Sequence, residues 1–581
     1  MKPVSGISLR DVFKGYSYDQ DKVVAPEETV HRVTERFRNS GKKILLKTIR
    51  IDSGRLNIPV FISLCGPEAT RLTGTKKQMG KGATPEQSRA SALMELAERF
   101  SFFAFFKDRQ HPIYKWKEIE ADAIEPAQLL LAIHDGTTDL GRVSLFLKDL
   151  PMRWVAAASL SDDKDVWVPI DWFYLINEYN GAAAGNTIEE AIVQSMCEVI
   201  ERHVGTVISY NHLVTPIVDF GTVKTEAARE LIRKFVDKGI KLYLRDFSLD
   251  TGIPSVGALA YDPSTFPEKS EIVFTVGTTT DPEKSLCRVL TEVAQLAGDF
   301  ENRTSYKPTY PKYGSLEEAK YLMADGPVVS LDDLPSVASY NLKVEIESLV
   351  NRVRSRMGWK AFVVNTTHPD LNIPAVYTIM PGAYFLDRTT GTDFPQHMAR
   401  TLLSYMNPKN AAFYIERLIK FFGQRYDLRF FMAHAMEESG DVVGALDLYK
   451  SVLSEAMGKD ERASVLVNIA SCYARLENFQ SALKYLEKAE ELQPDLKELH
   501  HLKGVCLFKL KRHEESIEAF ERVIELDPSS AIDYANIASN LRDMGYTKEA
   551  IILYEMALDM DPSLEFAHHN LCSLKAKEKQ A

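Results

Sequence analysis

Three times in this chain a glutamate follows a helix cap by eleven residues. Thr84-Pro85-Glu86-Gln87 runs to Glu95, Thr187-Ile188-Glu189-Glu190 to Glu198, and Asp281-Pro282-Glu283-Lys284 to Glu292. The first two copies continue as Glu95-Leu96-Ala97-Glu98-Arg99 and Glu198-Val199-Ile200-Glu201-Arg202, an offset of 103 residues that also aligns Gly82 with Gly185. Carboxylates are hard oxygen ligands for Mg²⁺, and arginines grip phosphate through paired N–H groups. Brought together, three such helices would carry the chemistry of a magnesium-bound polyphosphate.

The elements that must position these groups are written in the same segments. Thr84 with Gln87 and Thr187 with Glu190 form capping-box sequences, and Asp281 before Pro282 is an equally good helix start. At helical periodicity Ser91, Glu95, Glu98 and Arg99 share one face while Leu93, Leu96 and Phe100 take the other. In the second helix Gln194, Glu198, Glu201 and Arg202 oppose Ile192, Met196, Val199 and Ile200, and the third aligns Lys284, Arg288, Glu292 and Gln295. For any single copy, a solvated face with ordinary i,i+4 ion pairs is a sufficient explanation. The recurrence goes further: capping does not require the later glutamates, and two rows of acids repel one another unless cations lie between them.

A phosphate loop does not compete. Gly74 and Gly80 enclose five residues where that motif has four, and Gly82 stands where Ser or Thr should hold magnesium. Lys81 is accordingly read as part of a flexible, solvent-facing turn, the alternative being that it approaches a phosphate from this glycine-rich segment.

With 581 residues, 45% of them hydrophobic and 26% charged, the composition fits a globular chain of two to four domains. No stretch reaches the ~18 consecutive apolar residues of a membrane span, and the N-terminus has no basic segment followed by an apolar one. Six cysteines without a Cys-x-x-Cys pair point away from a zinc site or a disulfide framework and toward a reducing cytoplasm. A net charge of −11 disfavours direct, sequence-independent nucleic-acid binding.

Pro494, Pro528 and Pro562 recur every 34 residues, the period of the tetratricopeptide repeat. Small residues at Ala482, Ser516 and Ala550, and at Ala470, Gly504 and Ala538, hold their places, as do the bulky Leu486, Phe520 and Tyr554. A looser copy around Ala445-Leu446-Asp447-Leu448-Tyr449 precedes an insertion near Gly458. Before residue 400, strand-like runs such as 58–64, 154–158, 241–244, 256–260 and 272–276 alternate with helices at 84–105, 188–209 and 282–298. The expected fold class is therefore α+β: a mixed domain over 1–395, a helical connector over 396–425, and an all-α repeat solenoid over 426–581.

Gly80-Lys81-Gly82-Ala83-Thr84, Ser91-x-x-x-Glu95-x-x-Glu98-Arg99, Asn180-Gly181-x-Ala183-x-Gly185-Asn186-Thr187, Glu198-x-x-Glu201-Arg202 and Arg288-x-x-x-Glu292, in this order, resemble the signature of the YcaO family. The resemblance spans about residues 20 to 390 and implies a YcaO-like domain with a nonstandard site for ATP and Mg²⁺. It implies Glu95, Glu98, Glu190, Glu198, Glu201 and Glu292 as metal ligands or their neighbours, and Arg202 and Arg288 on phosphate. Ser91 and Gln194 would complete the nucleotide pocket, with Arg99 and Lys284 added from the same helix faces. Lys22 and Thr29 resemble an N-terminal phosphate-contact segment.

The implied activity is activation of a peptide or protein backbone amide by O-phosphorylation, giving an azoline, a thioamide or an amidine according to the nucleophile. Peptide-cyclising members often end in a proline-rich tail, whereas this sequence ends Lys575-Ala576-Lys577-Glu578-Lys579-Gln580-Ala581, which turns the expectation away from azolines. The repeats would recruit the substrate or a sulfur-delivering or accessory partner, and the family favours a homodimer. The alternative is an ATP-binding accessory or scaffold protein, for example in ribosomal-protein methylthiolation; a pure scaffold with a degenerate site is a third reading.

Overall fold

The computed structural model describes residues 2–301, 309–385, 391–455 and 457–578, so the last three residues of the C-terminal tail lie outside it. The chain divides into two compact units, Met1–Phe394 and Pro395–Ala581.

Among the described residues the first unit contains three sheets, and each ends on an edge strand that runs directly into one of the capped helices. Leu45–Arg50, Val60–Cys65 and Lys77–Lys81 form an antiparallel sheet whose last strand leads into the first helix, Pro85–Lys107. In the six-stranded sheet, Ala182–Ala184 pairs with Ala375–Ile379 at the edge and leads into the second helix, Ile188–Asn211. In the five-stranded sheet, Val273–Thr278 pairs with Ser255–Tyr261 and leads into the third, Pro282–Ala297. The recurrence in the sequence is thus a recurrence of strand, cap and helix.

Local chemistry fixes each junction. Thr84 Oγ1 and Thr187 Oγ1 each accept a hydrogen bond from the third helical N–H at 3.2 Å, and Asp281 Oδ1 does the same at 3.1 Å. A Cβ at Gly82 would lie 2.7 Å from the Ser88 nitrogen, and one at Gly185 would lie 2.5 Å from the Ala191 nitrogen. Both glycines therefore permit the same close approach of strand exit to helix, which explains their alignment as packing.

The second helix is central: of its 24 residues, 17 are buried, including acids as well as aliphatic side chains. The other two capped helices each pack one face into a core of their own. The third helix packs Leu286, Val289, Leu290 and Val293 into a core shared with Leu231, Phe235, Leu244 and Val256, while the first packs Leu93, Leu96 and Phe100 with Val33, Phe37 and Ile373.

The expected strands occur as Val60–Cys65, Pro151–Ser159, Lys241–Asp246, Ser255–Tyr261 and Val273–Thr278. The expected solvent-facing turn at Lys81 does not. Lys77–Lys81 is a strand paired with Val60–Cys65, because the helix behind it covers one face and leaves no room for a free loop.

From the boundary onward, Phe394–Tyr405 and Pro408–Phe422 are separate helices, broken where Asn407 caps the start at Pro408. Helix pairs follow at 426–438 with 442–453, 459–475 with 479–492, 497–509 with 513–526 and 531–543 with 547–560, then a final helix, Glu565–Glu578. Ala470, Ala482, Leu486 and Ala538, Ala550, Tyr554 are fully buried within the second unit, as a stacked repeat core requires. None of the six cysteines is disulfide-bonded, and among the described residues no helix is long and apolar enough to cross a membrane.

Candidate functional site

The three capped helices converge on one cleft of about 410 Å³. Lys22, Thr29, Ser91, Glu95, Glu98, Arg99, Glu190, Gln194, Glu198, Arg202, Arg288 and Glu292 all line it, so twelve of the fourteen residues singled out in the sequence are brought together. Six basic and five acidic side chains share the lining, a near balance that suits a ligand carrying both signs, such as an anion with its cation.

Two of the fourteen are elsewhere. Glu201 is fully buried and outside the cleft lining, accepting the Thr278 N–H at 3.0 Å and the Arg288 Nε–H at 2.7 Å. Its carboxylate holds Arg288, which lines the cleft, so in this arrangement Glu201 stands as a neighbour of the other acids. The Thr278 N–H and the Arg288 guanidinium turn it toward the neighbouring strand, whereas Glu98, at the same place in the first helix, lines the cleft. Lys284, in the first turn of its helix, reaches back to donate to the Ser17 and Tyr18 carbonyls, the latter at 2.8 Å. It ties down the N-terminal segment and is not part of the cleft lining.

That segment crosses all three helix starts. Asp19 accepts the Ala83 N–H at 2.8 Å, Glu190 accepts the Val23 N–H at 2.8 Å, and the buried Lys14 bridges Asp21 and Glu345. Glu190 also accepts from the Asn186 N–H and Nδ2, so it lines the cleft while serving chiefly as a brace. Thr29 is buried with its hydroxyl 3.2 Å from Asn186 Oδ1, and Lys22 Nζ lies 3.9 Å from Glu190.

Gln20, Lys77, Gln78, Lys81 and Asn186 line the cleft without having been singled out as site residues. For Lys77 and Lys81 a signal existed: with Met79 they occupy alternate positions of one strand, and all three face the same way. Lys81 Nζ is ion-paired with Glu292, its side chain only 13% exposed.

Electrostatics distinguish the acids. Burial and the adjacent Glu95 push the Glu98 carboxyl well above its ordinary range. Burial likewise raises Glu198, against the pull of Arg202 and Arg99. Burial also acts upward on Glu292, but Lys81, Arg288 and Arg202 outweigh it and hold the carboxyl down at about 2. Each acid is ion-paired: Glu95 and Glu98 with Arg99 at 2.9 and 3.4 Å, Glu198 with Arg202 at 3.2 Å. Among the described residues no three carboxylate, histidine or cysteine groups converge as a preassembled metal cage.

The donor set nevertheless fits magnesium with phosphate. Glu95, Glu98, Glu198 and Glu292 are oxygen donors in the cleft lining, and the raised carboxyls of Glu98 and Glu198 are groups that an added cation would stabilise. Arg99 Nη1 and Arg202 Nε and Nη1 are buried N–H groups with no hydrogen-bond partner, an unmet donor capacity suited to an anion.

Residues 79–384 match the family model described as YcaO cyclodehydratase, ATP- and Mg²⁺-binding. Residues 404–523 match one described as anaphase-promoting complex, cyclosome, subunit 3, and residues 534–564 one described as tetratricopeptide repeat. The chain is similar to an uncharacterized protein of Methanothermobacter thermautotrophicus, 28% identical over 382 residues that span 62% of this chain and 94% of that one. It is also 28% identical over 207 residues to the ribosomal protein S12 methylthiotransferase accessory factor YcaO of Escherichia coli, covering 32% of this chain and 35% of that one. Among solved structures, YcaO from Methanopyrus kandleri bound with AMPPCP and Mg²⁺ is similar with a TM-score of 0.50 at 26% identity, covering 64% of this chain and 95% of that one.

Proposed function

The chain belongs to the YcaO family, described as ATP- and Mg²⁺-binding, and we propose that it uses Mg·ATP to activate a backbone amide of a peptide or protein. The supporting observation is the convergence of acids and arginines from three separate helices on one cleft. Bound Mg·ATP supplies the phosphoryl group that turns an amide oxygen into a leaving group after a nucleophile has added to the carbonyl carbon.

The chain's own residues divide that work. Arg99, Arg202 and Arg288 orient phosphate and stabilise the charge that develops on it, while Glu95, Glu98, Glu198 and Glu292 hold magnesium. Lys22, Thr29, Ser91 and Gln194 bind the remainder of the nucleotide. Glu201 fixes Arg288, and Lys284 with Glu190 fixes the N-terminal segment that carries Lys22. The repeats recruit the substrate or a partner that delivers the nucleophile, and the product is a thioamide, an azoline or a related group.

Incubating the chain with candidate peptides, Mg·ATP and sulfide, followed by mass spectrometry, tests this reading. Loss of water or exchange of oxygen for sulfur is expected; ATP turnover without any change in peptide mass under every nucleophile would contradict it. The similarity to the Escherichia coli accessory factor favours a second reading, in which the chain binds ATP and supports ribosomal-protein methylthiolation through its repeats. Under that reading Glu198→Ala would keep partner binding and cellular function, whereas under the enzymatic reading it loses Mg²⁺-dependent ATP turnover and the product.

A further inference from the structure

The arginines that close the two Glu-x-x-Glu-Arg motifs are each backed by a tyrosine from outside their own helix. The Arg99 guanidinium lies over the Tyr179 ring, 4.1 Å from its centre, and the Arg202 guanidinium lies over the Tyr310 ring at 5.7 Å. Each arginine has helix carboxylates on one side, Glu95 and Glu98 for Arg99 and Glu198 for Arg202. Each also carries buried N–H groups without a hydrogen-bond partner, Nη1 of Arg99 and Nε and Nη1 of Arg202, the last with a Glu201 carboxylate oxygen 3.8 Å away. An electron-rich ring face is the group that stabilises a guanidinium where acceptors are missing.

Tyr179 is fixed through its backbone, and Tyr310 through its ring and hydroxyl. Tyr179 sits in the tight turn between Ile170–Asn177 and the edge strand Ala182–Ala184, held by its carbonyl accepting the Ala182 N–H at 3.0 Å and by Asn180 Nδ2 donating to the Asn177 carbonyl at 2.8 Å. Tyr310 is buried, donates its hydroxyl to the Glu201 carbonyl at 2.9 Å and packs on Phe274 with ring centres 5.5 Å apart. Its seat exists because residue 205 is glycine, where a Cβ would stand 2.3 Å from the ring.

We infer that Tyr179 and Tyr310 are a matched pair of positioning residues that aim Arg99 and Arg202 at phosphate. The aromatic face holds the guanidinium plane, the helix carboxylates hold one edge, and the cleft-lining remainder is left for the anion. This rests on the Mg·ATP reading of the cleft, but no motif of the sequence includes either tyrosine.

The test is titration of Mg·AMPPCP into the full-length wild type, Arg202→Ala, and the Leu and Phe variants of both tyrosines, with melting curves of each ligand-free chain. Tyr179→Leu and Tyr310→Leu are expected to weaken binding about 5- to 30-fold, the change matching a cation–π contribution of about 1 to 2 kcal/mol. Both Phe variants keep the ring and bind close to wild type; ligand-free melting temperatures stay put for the Tyr179 variants and fall for the Tyr310 variants, which lose the hydrogen bond to the Glu201 carbonyl, so binding is compared where every chain is folded. Leu variants that bind like wild type while Arg202→Ala weakens would overturn the tyrosine assignment and leave the reading of the cleft standing. Phe variants that weaken as far as Leu variants would overturn it too, since the ring would then not be the active part. A wild type that takes up no Mg·AMPPCP overturns both. Should Tyr310→Leu not fold, Tyr179→Leu decides by the same criteria.

Discussion

Glu201→Ala separates an anchor from a metal ligand. The carboxylate is fully buried, 2.7 and 3.3 Å from two nitrogens of Arg288, 3.8 Å from Arg202, and accepts the Thr278 N–H at 3.0 Å. Removing it leaves the largely buried Arg288 without its partner, which costs about 3 to 5 kcal/mol. The orphaned Thr278 N–H adds about 1 to 3 kcal/mol. Glu95→Ala, by contrast, removes a half-exposed partner of Arg99 and costs about 1 kcal/mol or less. All five tryptophans, Trp116, Trp154, Trp167, Trp172 and Trp359, lie in the first unit, so their fluorescence follows urea unfolding of that unit alone. Without Mg²⁺ or nucleotide, Glu201→Ala should unfold at markedly lower urea than wild type, with Glu201→Gln between them because its amide oxygen can still accept from Thr278. If Glu201→Ala unfolded with the wild type and lost only Mg²⁺-dependent nucleotide binding, the anchor assignment would be refuted.

Further outcomes are expected. Glu98→Gln relieves a carboxyl that burial and Glu95 already disfavour as an anion, so the ligand-free first unit should gain stability while Mg²⁺-dependent nucleotide affinity falls; a variant destabilised in urea would contradict this. His203 is buried and held down at about 4, so its unfolded form binds the extra proton as pH drops and stability falls between the ordinary value and that one. From pH 7 to pH 5 this group should cost about 2 kcal/mol, and His203→Asn, able to accept the Tyr384 N–H in its place, should remove that part of the loss. Equal acid sensitivity in both chains would count against it. Gly185→Ala drives a Cβ against the Ala191 nitrogen at 2.5 Å and should lower the first unit's urea midpoint, which an unchanged midpoint would disprove.

What could be read without coordinates was what depends on neighbours along the chain. Caps at Thr84, Thr187 and Asp281 and the helix faces behind them follow from local chemistry, and a period of 34 residues announces the repeats. Contacts between distant segments were not legible. Ala182–Ala184 has no β-branched or aromatic residue and becomes a strand only because Ala375–Ile379 lies beside it. Lys81 looked like a turn residue for the same reason, since its strand is defined by pairing with Val60–Cys65. Helical periodicity placed Glu201 beside Glu198, but its direction was decided by the Thr278 N–H and Arg288 on other elements. Tyr310 and Gly205 are 105 positions apart, and nothing local to either announces the other.

The central claim is that the three-helix cleft is a magnesium-dependent ATP site. Glu198 sits in its middle, buried and lining the cleft, and its own burial already disfavours the bare anion. Mg²⁺-dependent ATP turnover by the full-length wild type and Glu198→Ala, compared after tryptophan fluorescence has shown both folded, tests the claim most directly. Turnover in the wild type that is lost in the variant is the predicted result; turnover in Glu198→Ala equal to wild type would contradict the site.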